Sequence, residues 1–396
     1  MIDITKNKFS KYFLFGSLYI SEGIEFSLAT LIVTFYLADK GLPTELITAV
    51  AAAALIPWFL KFFWGGLTDY FIKFGRKTFI IIGGIVGAIF LFLLIFIDPA
   101  ESIMLFTLFL VLSHVGVAFI DVSTDAWAIQ TTAEEKRGKV NGAMYGGLFF
   151  GMAASAILLG VIASDYGYNA AFIVSGVLVL LLVIFPLFVK ETKIIKKRQK
   201  IGSQLIYEFK KGTTQLVAIL APISSISGGI IYFVVPLYLK EVLHLSLTQT
   251  SILAAMFPIM MGVGSIIGGF ITDNQGRKFA LYLFFGGSAI TFAALYFGTE
   301  LMIFAIIYGL VGLMIGGYHA ATCALIMDIT NPKICATEYA ALTSLFNVGE
   351  WAGGTLGGTL VVAFDYGRAF LYSGWFFGPA LLILYIIKIK SNKKKR

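Results

Sequence analysis

The sequence predicts an all-α, polytopic membrane protein with twelve transmembrane helices in two six-helix, pseudo-symmetric halves. Three observations predict it. Hydrophobic types make up 58% of the 396 residues and charged types only 13%, with a mean hydropathy of +0.89, a composition that soluble domains do not reach. The chain falls into apolar runs of roughly 20 residues or more, the length that crosses a hydrocarbon core of about 30 Å, separated by short polar breaks. The longest polar stretch, KETKIIKKRQKIGSQLIYEFKKG at 190–212, has six such runs before it and six after.

In order, the first six runs are 13–38, 44–67, 78–97, 103–130, 140–163 and 169–189. The first follows MIDITKNKFSKYFLFGSLYI, whose apolar part is too long for a signal peptide and meets no small-residue cleavage site; it is a span. The second ends in PWFLKFFWGGLTDYFIKFGRK, which carries Lys61 inside an apolar run and closes on Asp69, Arg76 and Lys77. The fourth ends in DVSTDAWAIQ. After the basic linker come 214–240, 248–271, 278–297, 301–327, 338–363 and 368–388. Helices are required at these lengths because lipid offers the backbone no hydrogen-bond partner. The expected organisation is thus a bundle at 1–189, a linker at 190–212 and a second bundle at 213–396.

Charge sets the orientation. Of 30 lysines and arginines, all but Lys40, Lys61, Lys240 and Arg368 lie in the N-terminus, the even-numbered loops, the linker or the tail. By the positive-inside rule both termini face the cytoplasm across the cytoplasmic membrane. The same rule, with attraction to anionic lipid, accounts for KKRQK (196–200), the tail KIKSNKKKR (388–396) and the net charge of +8 without nucleic acid. Cys323 and Cys335 lack the spacing of a metal or redox pair and read as packing thiols. No cofactor is implied. Three histidines, two separated cysteines and no His-x-x-x-His or Gly-x-Ser-x-Gly pattern argue against an enzyme.

The second and eighth runs end alike. GGLTDYFIKFGRK (65–77) and GGFITDNQGRK (268–278) each give a Gly-Gly helix end, an acid and Gly-Arg-Lys on the basic side. Repeats at matching places in two halves mark transporters whose halves move about a central site. Here paired glycines let helices approach, the acid suits a neighbouring helix N-terminus, and the basic pair offers it a partner. Asp69, Arg76, Lys77 and Asp273, Arg277, Lys278 are therefore the expected cytoplasmic gate; a tight basic turn is the plainer alternative.

This duplicated loop resembles the signature of the major facilitator superfamily, in which acid and arginine form cytoplasmic latches of an alternating-access cycle. Pro57, Lys61, Phe62 and Trp64 in the second run are similar to the peptide and acetyl-CoA transporter branch, which includes muropeptide permeases. DVSTDAWAIQTTAEEKRG (121–138) and ATEYAALTSL (336–345) resemble that branch too, with Glu338 where glutamine is usual. The resemblance implies the major facilitator fold, with the first, second and fourth spans around one cavity.

Ionisable residues inside spans are functional candidates because each is costly unless paired or facing a cavity. Glu22 and Glu25 lie three apart on one face of the first span, and Asp121 and Asp125 four apart on the fourth. With the implied cavity, Lys61 would face up to four acids. That is the chemistry of a proton site; a static ion-pair network is the alternative. Glu350, near Asn347, is a second-half cavity acid or a paired one. His319 and His114 read as packing histidines unless they relay protons. Tyr19, Trp58, Trp64, Tyr145, Tyr318 and Trp351 are candidate lining aromatics. The expected function is proton-coupled transport of a peptide-like, muropeptide-like or cationic amphipathic solute by a monomer. A sensor or scaffold, or a uniporter without proton coupling, is the alternative. A polyanion such as acetyl-CoA ranks lower because Lys61 is the only fixed cation in the cavity.

Overall fold

Lipid leaves so apolar a chain one way to satisfy its backbone. The computed structural model, which describes residues 2–191, 200–245 and 247–388, is helical along nearly all of that length. The basic runs at 192–199 and 389–396 lie outside the described residues. Eleven segments are long and apolar enough to cross a membrane. In the first half they are α1 (Lys8–Asp39), α2 (Glu45–Tyr70), α3 (Arg76–Leu94), α4 (Ile103–Thr131), α5 (Arg137–Tyr166) and α6 (Tyr168–Phe188). In the second they are α7 (Gly212–Glu241), α8 (Leu247–Gln275), α9 (Arg277–Phe297), α10 (Leu301–Ile329) and α12 (Tyr366–Ile386). Of the two α-helices outside these segments among the described residues, one, Ile201–Phe209, is a short helix in the linker, and the other, α11 (Cys335–Ala363), is 29 residues long. Its glycines and Glu338, Asn347 and Glu350 lower its apolarity. With it the architecture is the expected one of twelve helices in two halves.

Two spans depart from straight α-helix. In α2 the helix ends at Phe59 and restarts at Lys61. The carbonyl of Pro57, which an unbroken helix would bond to the amide of Lys61, instead accepts the indole N–H of Trp64 at 3.1 Å. Pro57, Lys61 and Trp64 are therefore one device: a break, the side chain released at the break, and the donor that satisfies the freed carbonyl. In α1 a wide π-turn occupies Leu28–Ile32. Helices α5 and α11 also begin three residues before the apolar runs that announced them, because their first turns carry polar groups used in the loops.

The chain divides into two compact units. One holds Met1–Thr132, Gly147–Ser203 and Pro332–Ala340; the other holds Ala133–Gly146, Gln204–Asn331 and Ala341–Arg396. Each unit therefore contains the first turns of a helix from the opposite half of the sequence. In the N-terminal unit a core of Ile24, Leu28, Val33, Leu91, Leu94, Phe106, Leu110, Leu159 and Phe172 gathers α1, α3, α4, α5 and α6. A Cβ on Gly147 would stand 2.1 Å from the carbonyl oxygen of Gly16, so α1 and α5 are in backbone contact. Ile2 pairs with the end of α6, its N–H on Phe188 O (2.7 Å) and its carbonyl on Lys190 N (2.8 Å). In the C-terminal unit a Cβ on Gly229 would lie 2.0 Å from Glu350 O, which places α7 directly against α11.

Two acid latches and a buried lysine

The repeated loops fold alike. Gly75 and Gly276 both take a left-handed backbone, with φ of +86° and +95°, which only glycine adopts without strain. Each turns the chain sharply so that the next residue, Arg76 or Arg277, opens a helix and folds its guanidinium back onto the preceding acid. Arg76 meets Asp69 at 2.5 Å, with both side chains buried. Arg277 meets Asp273 at 2.9 Å.

Each acid also reaches the start of another helix. Asp69 Oδ2 accepts from the amide (2.9 Å) and hydroxyl (2.8 Å) of Thr337, at the N-terminus of α11. Asp273 accepts from the amides of Gly138 (2.7 Å) and Lys139 (2.9 Å), at the N-terminus of α5. Free N–H groups and the helix dipole make this a good place for an anion. The third residue of the motif behaves differently from expectation. Lys77 donates to Val189 O at 3.2 Å and Lys278 to Tyr385 O at 3.2 Å. Neither joins its acid; each fixes the closing turn of its own half, since its Cα sits one residue past the fold-back.

The latches differ in charge. In the C-terminal unit Asp328 accepts from Arg277 at 2.8 Å and from Arg137 at 3.0 Å, making a network of two acids and two arginines. The matching places in the other latch hold Gln130 and Cys335. Cys335 Sγ lies 3.6 Å from Arg76 and 3.3 Å from Gln130 Nε2. Aligning 130–139 with 328–337 would have exposed Asp328 and Arg137 as the charged counterparts. Thr337 gave no such signal, and neither did Glu191, which accepts from the amides of Arg76 (2.5 Å) and Lys77 (3.2 Å).

Lys61 is buried, its side chain only 9% exposed, and its ammonium stands 2.7 Å from Asp121 and 4.0 Å from Glu22. It also lies 5.1 Å above the Trp58 ring, a cation–π contact. One turn along α4, Asp125 accepts from the Tyr19 hydroxyl at 2.5 Å. Glu25 does not belong to this group. Three residues advance a helix by about 300°, so its side chain leaves α1 roughly 60° away from that of Glu22. It accepts from Ser113 Oγ at 2.7 Å and lies 3.3 Å from His114 Nδ1. Lys61 thus has two acids in contact and a third close by, and the fourth is elsewhere.

The second-half candidates have neighbours of their own. His319 is stacked between Tyr318 (5.1 Å between centroids) and Phe346 (5.3 Å), with Tyr145 at 5.6 Å. Cys323 meets the Tyr145 hydroxyl at 3.1 Å. Glu350 is within electrostatic range of Tyr232 and Tyr318. Trp351 is 68% exposed and outside the aromatic stack. Trp64 serves the α2 break.

Membrane-length helices in two halves that repeat a Gly-Gly, acid, Gly-Arg-Lys turn at matching places are the pattern of a membrane transporter. The Major Facilitator Superfamily model matches residues 14–221 and 217–396, and the chain belongs to that superfamily. It is similar to a Rickettsia conorii protein named as transporter AmpG 4, with 24% identity across 90% of this chain and 91% of that one. A 121-residue stretch is 35% identical to an Arabidopsis thaliana protein named as folate-biopterin transporter 2, covering 29% of this chain and 24% of that one. In fold it is similar to the proton:xylose symporter XylE bound to 6-bromo-6-deoxy-D-glucose, with a TM-score of 0.76, 16% identity, and 96% and 97% of the two chains covered.

Proposed function

We propose that the protein is a secondary active transporter of the cytoplasmic membrane that moves a small solute by alternating access and couples it to protons. The observation that carries this reading is Lys61, held by Asp121 and near Glu22, with Asp125 on Tyr19 close by. With every member ionised, one ammonium and three carboxylates leave excess negative charge in a buried place, at a cost of several kcal/mol per uncompensated ion. A bound proton, or a cationic part of the solute, relieves it. Occupancy by one or the other in turn is coupling.

The gate follows from the latches. Six-helix halves at 1–189 and 213–396, joined by the 190–212 linker, are the moving bodies of this reading. Thr337 and Gly138–Lys139 then release Asp69 and Asp273 whenever the basic, cytoplasmic side opens. The solute is peptide-like, muropeptide-like or a cationic amphiphile, since a single lysine is a poor match for a polyanion, and the chain works as a monomer with both termini in the cytoplasm.

Reconstitution into liposomes with trapped pyranine tests this. Peptides, muropeptides, sugars, CoA derivatives and cationic amphiphiles are offered in turn, and internal pH and solute are followed together. A solute that moves protons in the parent and no protons in Glu22→Gln or Asp121→Asn, while exchanging across both, supports the reading. Solute movement indifferent to a collapsed pH gradient makes the protein a uniporter. No movement of any solute leaves a sensor or scaffold.

A further inference from the structure

One turn along α1 from Glu22 lies a second buried acid that the Lys61 group does not use. Glu25 and His114 are both fully buried, with Glu25 Oε2 3.3 Å from His114 Nδ1 and Glu25 Oε1 accepting from Ser113 Oγ at 2.7 Å. The place is made by glycines: a Cβ on Gly116 would meet the Gly87 amide at 2.5 Å, so α3 and α4 touch and turn Ser113 and His114 inward. Ile24, Leu28 and Leu110 of the apolar core surround the pair. Among the described residues, His114 is the titratable group that faces Glu25 and Ser113 the hydroxyl that does.

The hydrogen-bond pattern fixes how a proton would bind. His114 Nδ1 is 2.9 Å from Leu110 O, and a carbonyl only accepts, so Nδ1 carries the hydrogen. Nε2 has no partner among the described residues, and its lone pair is open. A proton taken there turns a neutral imidazole into an imidazolium beside the Glu25 carboxylate, and the pair passes from one net negative charge to none. One proton enters and nothing leaves. The π-turn at Leu28–Ile32 begins within a turn of Glu25, and such turns recur at functional sites.

We propose that Glu25 and His114 form a second proton-binding site, separate from the Lys61 group, so that the transport cycle carries protons at two places in the N-terminal unit. The role in transport rests on the reading above; proton binding by the pair does not.

The test starts without a substrate. Full-length protein with 15N-labelled histidine is placed in nanodiscs, and His114 is identified among the three histidines by its loss in His114→Gln. The expected result is an imidazole that gains a proton at Nε2 when the sample is acidified. In Glu25→Gln, which keeps the shape of the side chain, the ratio of charged to neutral His114 at a fixed pH falls at least about tenfold, because an opposite charge within 4–6 Å has gone. Ser113→Ala moves it in the opposite direction, by leaving the carboxylate short of a donor, while Glu22→Gln has a smaller effect. A His114 held in one state throughout, or indifferent to Glu25→Gln, overturns the site. The pyranine assay then decides its role. Fewer protons per solute in His114→Gln support it, and an unchanged ratio in a parent that does move protons removes it. A parent that moves none defeats the function proposed above and this role with it, while the NMR result stands on its own.

Discussion

Asp69→Asn isolates the closing force of one latch. Under the gate proposed above, Asp69 and Arg76 lie within one half of the sequence, so their pairing is taken as common to the open and closed states and its energy as cancelling. What changes on closing is Asp69 Oδ2 with its two Thr337 donors at 2.9 and 2.8 Å. Hydrogen bonds to a charged group contribute about 1.5–3 kcal/mol each and neutral ones about 0.5–1.5. Asparagine can still offer one neutral oxygen, so the substitution removes about 2 kcal/mol of closing free energy, roughly 30-fold in the ratio of states. The chain supplies its own reporter. Cys335 is fully buried two residues before Thr337, and in a Cys323→Ser background it is the sole thiol. Maleimide labelling of Cys335 in proteoliposomes should accelerate by about that factor, and Asp273→Asn should act in the same direction if both latches serve one closure. Labelling of Asp69→Asn within twofold of the parent would refute the argument that Thr337 is what the acid holds.

Two further outcomes are expected. Gly229→Ala places a Cβ 2.0 Å from Glu350 O, backbone against backbone, and should lower stability by about 1–3 kcal/mol; Gly286→Ala, with nothing within 4 Å, should not, and equal melting temperatures in detergent would contradict the close approach of α7 and α11. The Lys40–Asp98 tie at 2.5 Å holds the Asp98 carboxyl below its usual range and Lys40 above its own. A lowered acid contributes above its ordinary pKa and loses the contribution as pH falls through the lowered value; a raised lysine contributes below its ordinary pKa and loses it on the alkaline side. The small melting difference between parent and Asp98→Asn should therefore be constant from about pH 5 to 9 and vanish in strong acid. A difference that varies between pH 6 and 8 would count against it.

Composition and spacing made the helices legible, because lipid admits few alternatives to a 20-residue apolar run. The repeat made the turns and their acid–arginine pairs legible, since Gly75 and Gly276 occupy a backbone region that other residues adopt only with strain. Beyond that, sequence runs out for definite reasons. Glu22 and Glu25 share a helical face by spacing, yet their 60° divergence sends them to different partners. Lys77 and Lys278 follow their arginines directly, yet one residue of helix turns them towards Val189 and Tyr385. Thr337 is one hydroxyl among many at helix starts, and nothing local marks it as the acceptor's partner. The break at Leu60 needs Trp64 to satisfy Pro57 O, a contact that spans seven residues and shows only when the chain is folded.

The bond between Asp69 and Thr337 spans 268 residues, and this has a consequence for biogenesis. A ribosome adding about 5–20 residues per second needs roughly 15–50 s to go from one to the other. Through that interval Asp69 and Arg76 are already in the membrane without the N-terminus of α11, while Ile2 has found the end of α6 at residue 188 much earlier. The other latch receives its parts in the reverse order, with the start of α5 made before Asp273. The N-terminal unit, synthesised first, is thus the one that must wait for the late arrival of Pro332–Ala340, and until then the Asp69 carboxylate lacks its two Thr337 donors.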